Sequence, residues 1–182
     1  PVSVANSGDK RAYLTLDITS TPTQSPETLS SGFTIEKTVY TVSGNELDGT
    51  SLTKGDRAII LIDAKAKFSA SKMVVLADLL PAGLEIESVL TDTDTGEEGR
   101  FPFLENLSDF DMQEARDDRF VASDRRTRWD RDDNRFRAAY IVRAVTAGSF
   151  TFPGAVIEDM YKPTRVATSE HKILQIAPSG DF

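Results

Sequence analysis

Apolar and polar residues alternate in short runs along almost the whole chain, with Gly, Pro, Ser or Asp breaking the pattern roughly every ten residues. A period of two places the apolar side chains on one face, which marks a half-buried strand. Residues 12–18 alternate in this way, and so do residues 33–40. Residues 57–67 begin with a solid apolar run, Ala58 to Ile62, and then alternate, which predicts a strong strand. Further strands are predicted over residues 73–80, 84–90, 119–122, 136–145, 149–152 and 172–176. Residues 43–49 and 54–56 carry turn chemistry, and Pro81-Ala82-Gly83 closes the strand before it. Residues 148–163 read as a strand, a break at Pro153-Gly154, and a second strand that ends in Met160-Tyr161 and is stopped by Pro163. Residues 101–112 fit either a short helix or an irregular loop, and no long helical period occurs. Eight or more short strands of this spacing predict an all-β chain folded as an antiparallel β-sandwich.

The organisation follows from composition shifts. Residues 20–32 are rich in Ser, Thr and Pro and read as a linker. Residues 1–32 are therefore expected to be a flanking strand and linker from a preceding domain, and residues 33–182 the sandwich domain. The chain starts at Pro1 without a signal peptide, so it reads as a piece of something longer. Apolar residues make up 39% and charged residues 27%, enough for a core and a soluble surface. No apolar run approaches the ~20 residues of a membrane span. A net charge of −8 argues against nucleic acid as a partner.

The residue inventory narrows the chemistry. With no Cys, disulfides, zinc–thiolate sites and a Cys nucleophile are excluded, and the single His171 excludes a multi-His metal site. His171 with Ser169 and Asp159 lacks the G-x-S-x-G elbow of a hydrolase, and no glycine-rich phosphate loop is present. No catalytic residue, metal or cofactor is expected. Residues 123–135 form a long charged loop in which Asp130, Asp132 and Asp133 lack the Gly that a calcium loop needs. Trp129 inside it is either a partner contact or a side chain folded back on its own domain. Asp78, Pro81 and Gly83 read as structural. The candidate contact residues are Met160, Tyr161 and Pro163: a thioether and an aromatic ring give adaptable apolar cover. They serve either a neighbouring surface or the edge of this domain's own core, and one of the pair can do each.

Four ordered segments carry a resemblance. Residues 73–87 (ending D-L-L-P-A-G-L-E-I-E from Asp78), 118–122 (D-R-F-V-A), 140–150 (Y-I-V-R-A-V-T-A-G-S-F) and 158–163 (E-D-M-Y-K-P) resemble the C-terminal macroglobulin domain of bacterial alpha-2-macroglobulins. The resemblance implies a macroglobulin-like (fibronectin-like) sandwich of seven or more strands, from a large envelope protein that traps proteases. It implies a periplasmic location, with the parent chain anchored to the inner membrane. It also implies that this domain docks on a thioester domain and that Met160 and Tyr161 shield the thioester from water and amines. The partners implied are the thioester and neighbouring macroglobulin domains of the same parent chain, target proteases, and other envelope proteins. The Cys of the thioester would lie outside these residues.

Three other readings stand beside it. One is a protein-interaction domain from the family branch without a thioester, which would remove the shielding role. A second is an adhesin or carbohydrate-binding sandwich, which would show aromatics on one sheet face. The third is an enzyme on a sandwich scaffold, for which the inventory of one His and no Cys is poor.

Overall fold

The structure, a computed structural model, describes residues 3–19, 28–47, 50–69, 72–126 and 134–180. Among them the strands in chain order are β1 (Ser30–Ser31), β2 (Phe33–Thr41), β3 (Thr50–Thr53), β4 (Arg57–Ala66), β5 (Lys72–Leu79), β6 (Leu84–Leu90), β7 (Met112–Arg116), β8 (Arg119–Arg126), β9 (Arg135–Ala144), β10 (Gly148–Phe152), β11 (Val156–Asp159), β12 (Lys162–Thr168) and β13 (Lys172–Ala177). One 3-10 turn, Asp92–Asp94, interrupts them.

Three sheets form the sandwich. One has six strands in the order β1-β12-β11-β5-β8-β7, all antiparallel. A four-stranded sheet, β2-β4-β9-β6, and a three-stranded sheet, β10-β13-β3, make up the rest. The expectation of an antiparallel sandwich holds except where β13 pairs with β3 in parallel. The main core brings Val74, Leu76, Phe120 and Ile157 of the six-stranded sheet against Ile60, Ile62, Phe136 and Val142 of the four-stranded one.

The solid apolar run of β4 has a two-sided explanation. Ile60 and Ile62 enter the main core, while Ile59 and Leu61 point to the other face of their sheet. There they pack with Phe101, Leu104 and Leu107 from the connection after β6. Residues 101–111 are thus an irregular cover with its own small core, not a helix. A strand buried on both faces reads as continuous apolar sequence rather than as alternation.

Several expectations need correction. Residues 12–18 form no strand: Tyr13, Leu14, Leu16 and Ile18 are all exposed, and the backbone there belongs to no ladder. Strands β3, β7 and β12 had not been expected. The charged loop is shorter than expected, because β8 runs to Arg126 and β9 begins at Arg135. Trp129, Asp130, Asp132 and Asp133 lie outside the described residues. No helix of the described residues is long and apolar enough to cross a membrane.

Candidate functional site

The segment with the apolar pair is a hairpin of β11 and β12. Asp159 pairs with Lys162, so Met160 and Tyr161 are its two-residue turn rather than the end of a strand. Met160 is 51% exposed and Tyr161 79%. Pro163 does not stop the segment, as expected from the sequence, but sits second in β12. Glu158 pairs with Val166 while Asp159 pairs with Lys162, which leaves Pro163, Thr164 and Arg165 as extra residues on β12. A bulge tolerates proline because no ladder donor is needed there.

A buried carboxylate holds this turn. Asp159, only 3% exposed, accepts the Tyr161 N–H at 3.0 Å and the Lys162 N–H at 3.2 Å through Oδ1. Its Oδ2 lies 3.4 Å from Arg165 Nη1. The Arg165 guanidinium in turn stacks 4.0 Å from the ring centre of Phe68. From the other side, Met160 N–H donates to the Met73 carbonyl of β5 at 2.8 Å. The backbone of the tip is fixed on both flanks while its two large side chains stand in solvent.

The base of the hairpin is equally closed. Ser169 Oγ accepts the Ala155 N–H at 2.9 Å, and the Ser169 N–H donates to the Ala155 carbonyl at 2.9 Å. His171 Nδ1 accepts the Gly154 N–H at 3.2 Å. A Cβ on Gly154 would lie 2.1 Å from the Ser169 carbonyl oxygen, so only glycine fits this approach. Ser169, His171 and Asp159, the three residues of the tempting hydrolase set, are each taken up by backbone groups.

One strand away a buried polar group ties the sheets together. Asp78 of β5, fully buried, receives Lys37 Nζ of β2 at 2.7 Å and the Tyr140 hydroxyl of β9. Lys37 also donates to the Pro153 carbonyl at 3.0 Å and lies 3.7 Å from the centre of the Phe152 ring. Tyr140 stacks on Phe120 with ring centres 5.0 Å apart. Burial pushes the Asp78 carboxyl up, opposed by the Lys37 charge and by hydrogen bonds from Lys37 and Tyr140. Burial likewise pushes Lys37 down, against Asp78. It raises Tyr140 well above the usual phenol range, with the Asp78 charge adding to the effect.

The sequence held a signal for both acids. In β5, residues 74 and 76 are the inward positions, and Asp78 continues that parity. In β11, Ile157 is inward and Asp159 follows two residues later. A carboxylate on the buried parity of a strand needs a partner, and here each has one.

The comparisons with known proteins agree with one another. Residues 32–164 match the family described as the bacterial alpha-2-macroglobulin MG10 domain. An alpha-2-macroglobulin of Xylella fastidiosa is 35% identical over 162 residues, which is 86% of this chain and 10% of that protein. The crystal structure of Salmonella alpha-2-macroglobulin reacted with methylamine superposes with a TM-score of 0.70 at 28% identity, over 86% of this chain and 10% of the other. Trypsin-activated alpha-2-macroglobulin from Escherichia coli gives a TM-score of 0.69 at 27% identity, over 86% of this chain and 11% of that one. The chain therefore spans about a tenth of the length of the relatives it matches. With most of its length inside that match, the chain belongs to the bacterial alpha-2-macroglobulin MG10 domain family.

Proposed function

We propose that this domain is a non-catalytic docking module of a protease-trapping inhibitor, and that its Met160-Tyr161 tip covers a thioester on a neighbouring domain of the same parent chain. The observation that carries the reading is the tip itself. Two large apolar side chains stand in solvent on a turn whose backbone is fixed by the buried Asp159 and by β5. A rigid backbone lowers the entropy lost on docking, and the aromatic and thioether groups supply apolar contact. Pro163 restricts the strand just after the tip and belongs to the same contact. Covering a thioester with such groups excludes water and small amines. Reaction with methylamine in the Salmonella relative and activation by trypsin in the Escherichia coli relative support this reading. The chain has no Cys, so the thioester would be supplied from outside it. Protease cleavage elsewhere in the parent would favour a state in which this domain lets go. Partners are the thioester and adjoining macroglobulin domains, with proteases met through the parent, in the periplasm.

The test uses the parent protein with Met160→Ala and Tyr161→Ala. Free-thiol release in methylamine is expected to be faster than in the unchanged parent. Equal release, from a parent that holds a thioester, would reduce the pair to a surface turn. If neither protein yields a thiol, the parent lacks a thioester and the tip serves another contact.

A further inference from the structure

The long edge strand β2 carries a feature that the hairpin tip does not use. All nine of its residues pair with β4 on one side, in an unbroken register from Phe33 to Thr41. On the other side its two ends are covered: Thr41 N–H donates to the Asn45 carbonyl and Leu47 N–H to the Val39 carbonyl, both at 2.8 Å, and the Phe33 carbonyl accepts the Ser30 hydroxyl at 2.9 Å. The polar backbone groups of alternate strand residues face the same side. Ile35 and Lys37 therefore present their N–H and C=O groups on the side that residues 45–47 leave open, and among the described residues no backbone partner meets them there. Beside this edge lies a cavity of about 210 Å³. Half-buried Ile35 and Leu47 and buried Phe152 give it apolar walls, and exposed Glu36, Glu46 and Glu170 surround it with two lysines, Lys37 and Lys172. Three carboxylates against two ammonium groups leave a net of −1, and of the two lysines Lys37 is turned inward and already matched by Asp78.

Of the other edges, β7 and β10 have five residues each, and the remaining three are blunted. β6 carries a register shift between Ile86 and Ser88, β1 has two residues and β3 four. Natural sheets use such short or bulged edges to prevent pairing, and inward charges to the same end. β2 does carry an inward charge, Lys37, but Asp78 matches it within the core, so it is no obstacle to pairing. The geometry points to the open edge of β2 as a docking groove for an extended, basic segment of a partner polypeptide, which adds to the four-stranded sheet as a fifth strand. Main-chain bonds to Ile35 and Lys37 would hold the segment. Its alternate side chains would fill the cavity, and its Lys or Arg residues would meet Glu36, Glu46 and Glu170.

The test titrates the 182-residue chain with a heptapeptide of alternating Lys and Val, capped at both ends, and with its counterpart in which every Lys is Glu. Backbone amide shifts are followed by heteronuclear NMR. The basic peptide is expected to move the amides of residues 35–39 and 46–47 and to bind about tenfold or more tighter than the acidic one. The triple variant E36K/E46K/E170K, changed only at exposed positions, is expected to reverse that preference. In Ile35→Pro the outward N–H is lost while the ladder to β4 is spared, and weaker binding of the basic peptide is expected. No shifts at about 1 mM peptide, shifts confined to other strands, or equal binding of both peptides by the parent chain and the triple variant would overturn the proposal.

Discussion

The buried Lys37–Asp78–Tyr140 group offers a sharp test of how this sandwich is held. Replace Lys37 with Met. The stem still packs near Phe152, but Asp78 keeps only the Tyr140 hydroxyl as donor. Leaving one member of a buried ion pair alone costs about 3–5 kcal/mol. The carboxyl can escape part of that by taking up a proton. Its unfolded pKa is about 4, so holding it neutral at pH 7 costs roughly 3 units at 1.36 kcal/mol each, or ~4 kcal/mol. The loss in Lys37→Met is thus bounded near ~4 kcal/mol at pH 7. The sign follows from the raised folded pKa. The stability of the variant is full below the unfolded value and falls as pH rises through the folded one. Its deficit against the parent should therefore shrink by up to ~1.4 kcal/mol per pH unit on going from pH 7 toward pH 4.

The double variant Lys37→Met with Asp78→Asn removes both charges and keeps an acceptor for the Tyr140 hydroxyl. It should lie within about 1–2 kcal/mol of the parent, well above either single variant. Urea unfolding by far-UV circular dichroism, at several pH values between 4.5 and 7, gives all four corners of the cycle. The reasoning fails if Lys37→Met costs under about 1 kcal/mol at pH 7, or if its deficit is the same at both ends of the range.

The tip should be nearly neutral for folding: Met160→Ala with Tyr161→Ala is expected to shift the urea unfolding free energy by about 0.5 kcal/mol or less, because both side chains are mostly exposed. Asp159→Ala should cost ~2–3 kcal/mol by the same measurement, since two backbone donors lose a charged acceptor, and Asp159→Asn clearly less because one oxygen remains. Gly83→Ala should cost ~1–3 kcal/mol, because a Cβ there would lie 2.5 Å from the Phe150 ring and 2.6 Å from Ile176 Cδ1. Tyr140→Phe should flatten the alkaline limb of a stability–pH curve. Burial raises the folded Tyr140 pKa, so its contribution is present below about pH 10 and is lost at up to ~1.4 kcal/mol per unit above that in the parent, but not in the variant.

Legibility in the sequence tracked burial. Strands β2, β4, β5, β6 and β9 each turn a face into the core and leave a period of two or a solid apolar run, so their residues announced them. β7 is an edge strand exposed at Met112, Glu114 and Arg116, and it buries too little to impose a pattern. β3 buries Leu52 and little else. β12 opens with Lys162 and Pro163 and carries a bulge, so its first half looks like a stop. Residues 12–18 fail in the opposite sense. Periodicity reports a face that can be buried, not the sheet edge that would bury it, and no ladder among the described residues takes that segment. The exposed apolar pair was visible as a pair, but its place on a turn depended on β12 and was therefore hidden with it.

The two inward acids show why the tip is more than a loop end. Asp159 faces Val74 of β5 in the ladder, and Asp78 lies four residues further along that same strand. One acid fixes the turn to its own hairpin, and the other fixes the strand beside that hairpin to the opposite sheet. A hairpin that needed only to close could use glycine or asparagine in its turn with backbone bonds alone. Here a carboxylate is withdrawn from water to hold a turn whose large side chains point into solvent, an arrangement that burial within this domain does not reward. Under the proposed docking function the fixed tip also serves the contact, so Asp159→Ala should weaken docking in the parent through disorder of the tip even though Met160 and Tyr161 are unchanged. Thiol release in methylamine separates the two causes. If rigidity matters, Asp159→Ala releases faster than the unchanged parent, and Asp159→Asn falls between. If only the two side chains matter, both Asp159 variants release at the parental rate, and the account of the buried acid as an anchor for docking is wrong.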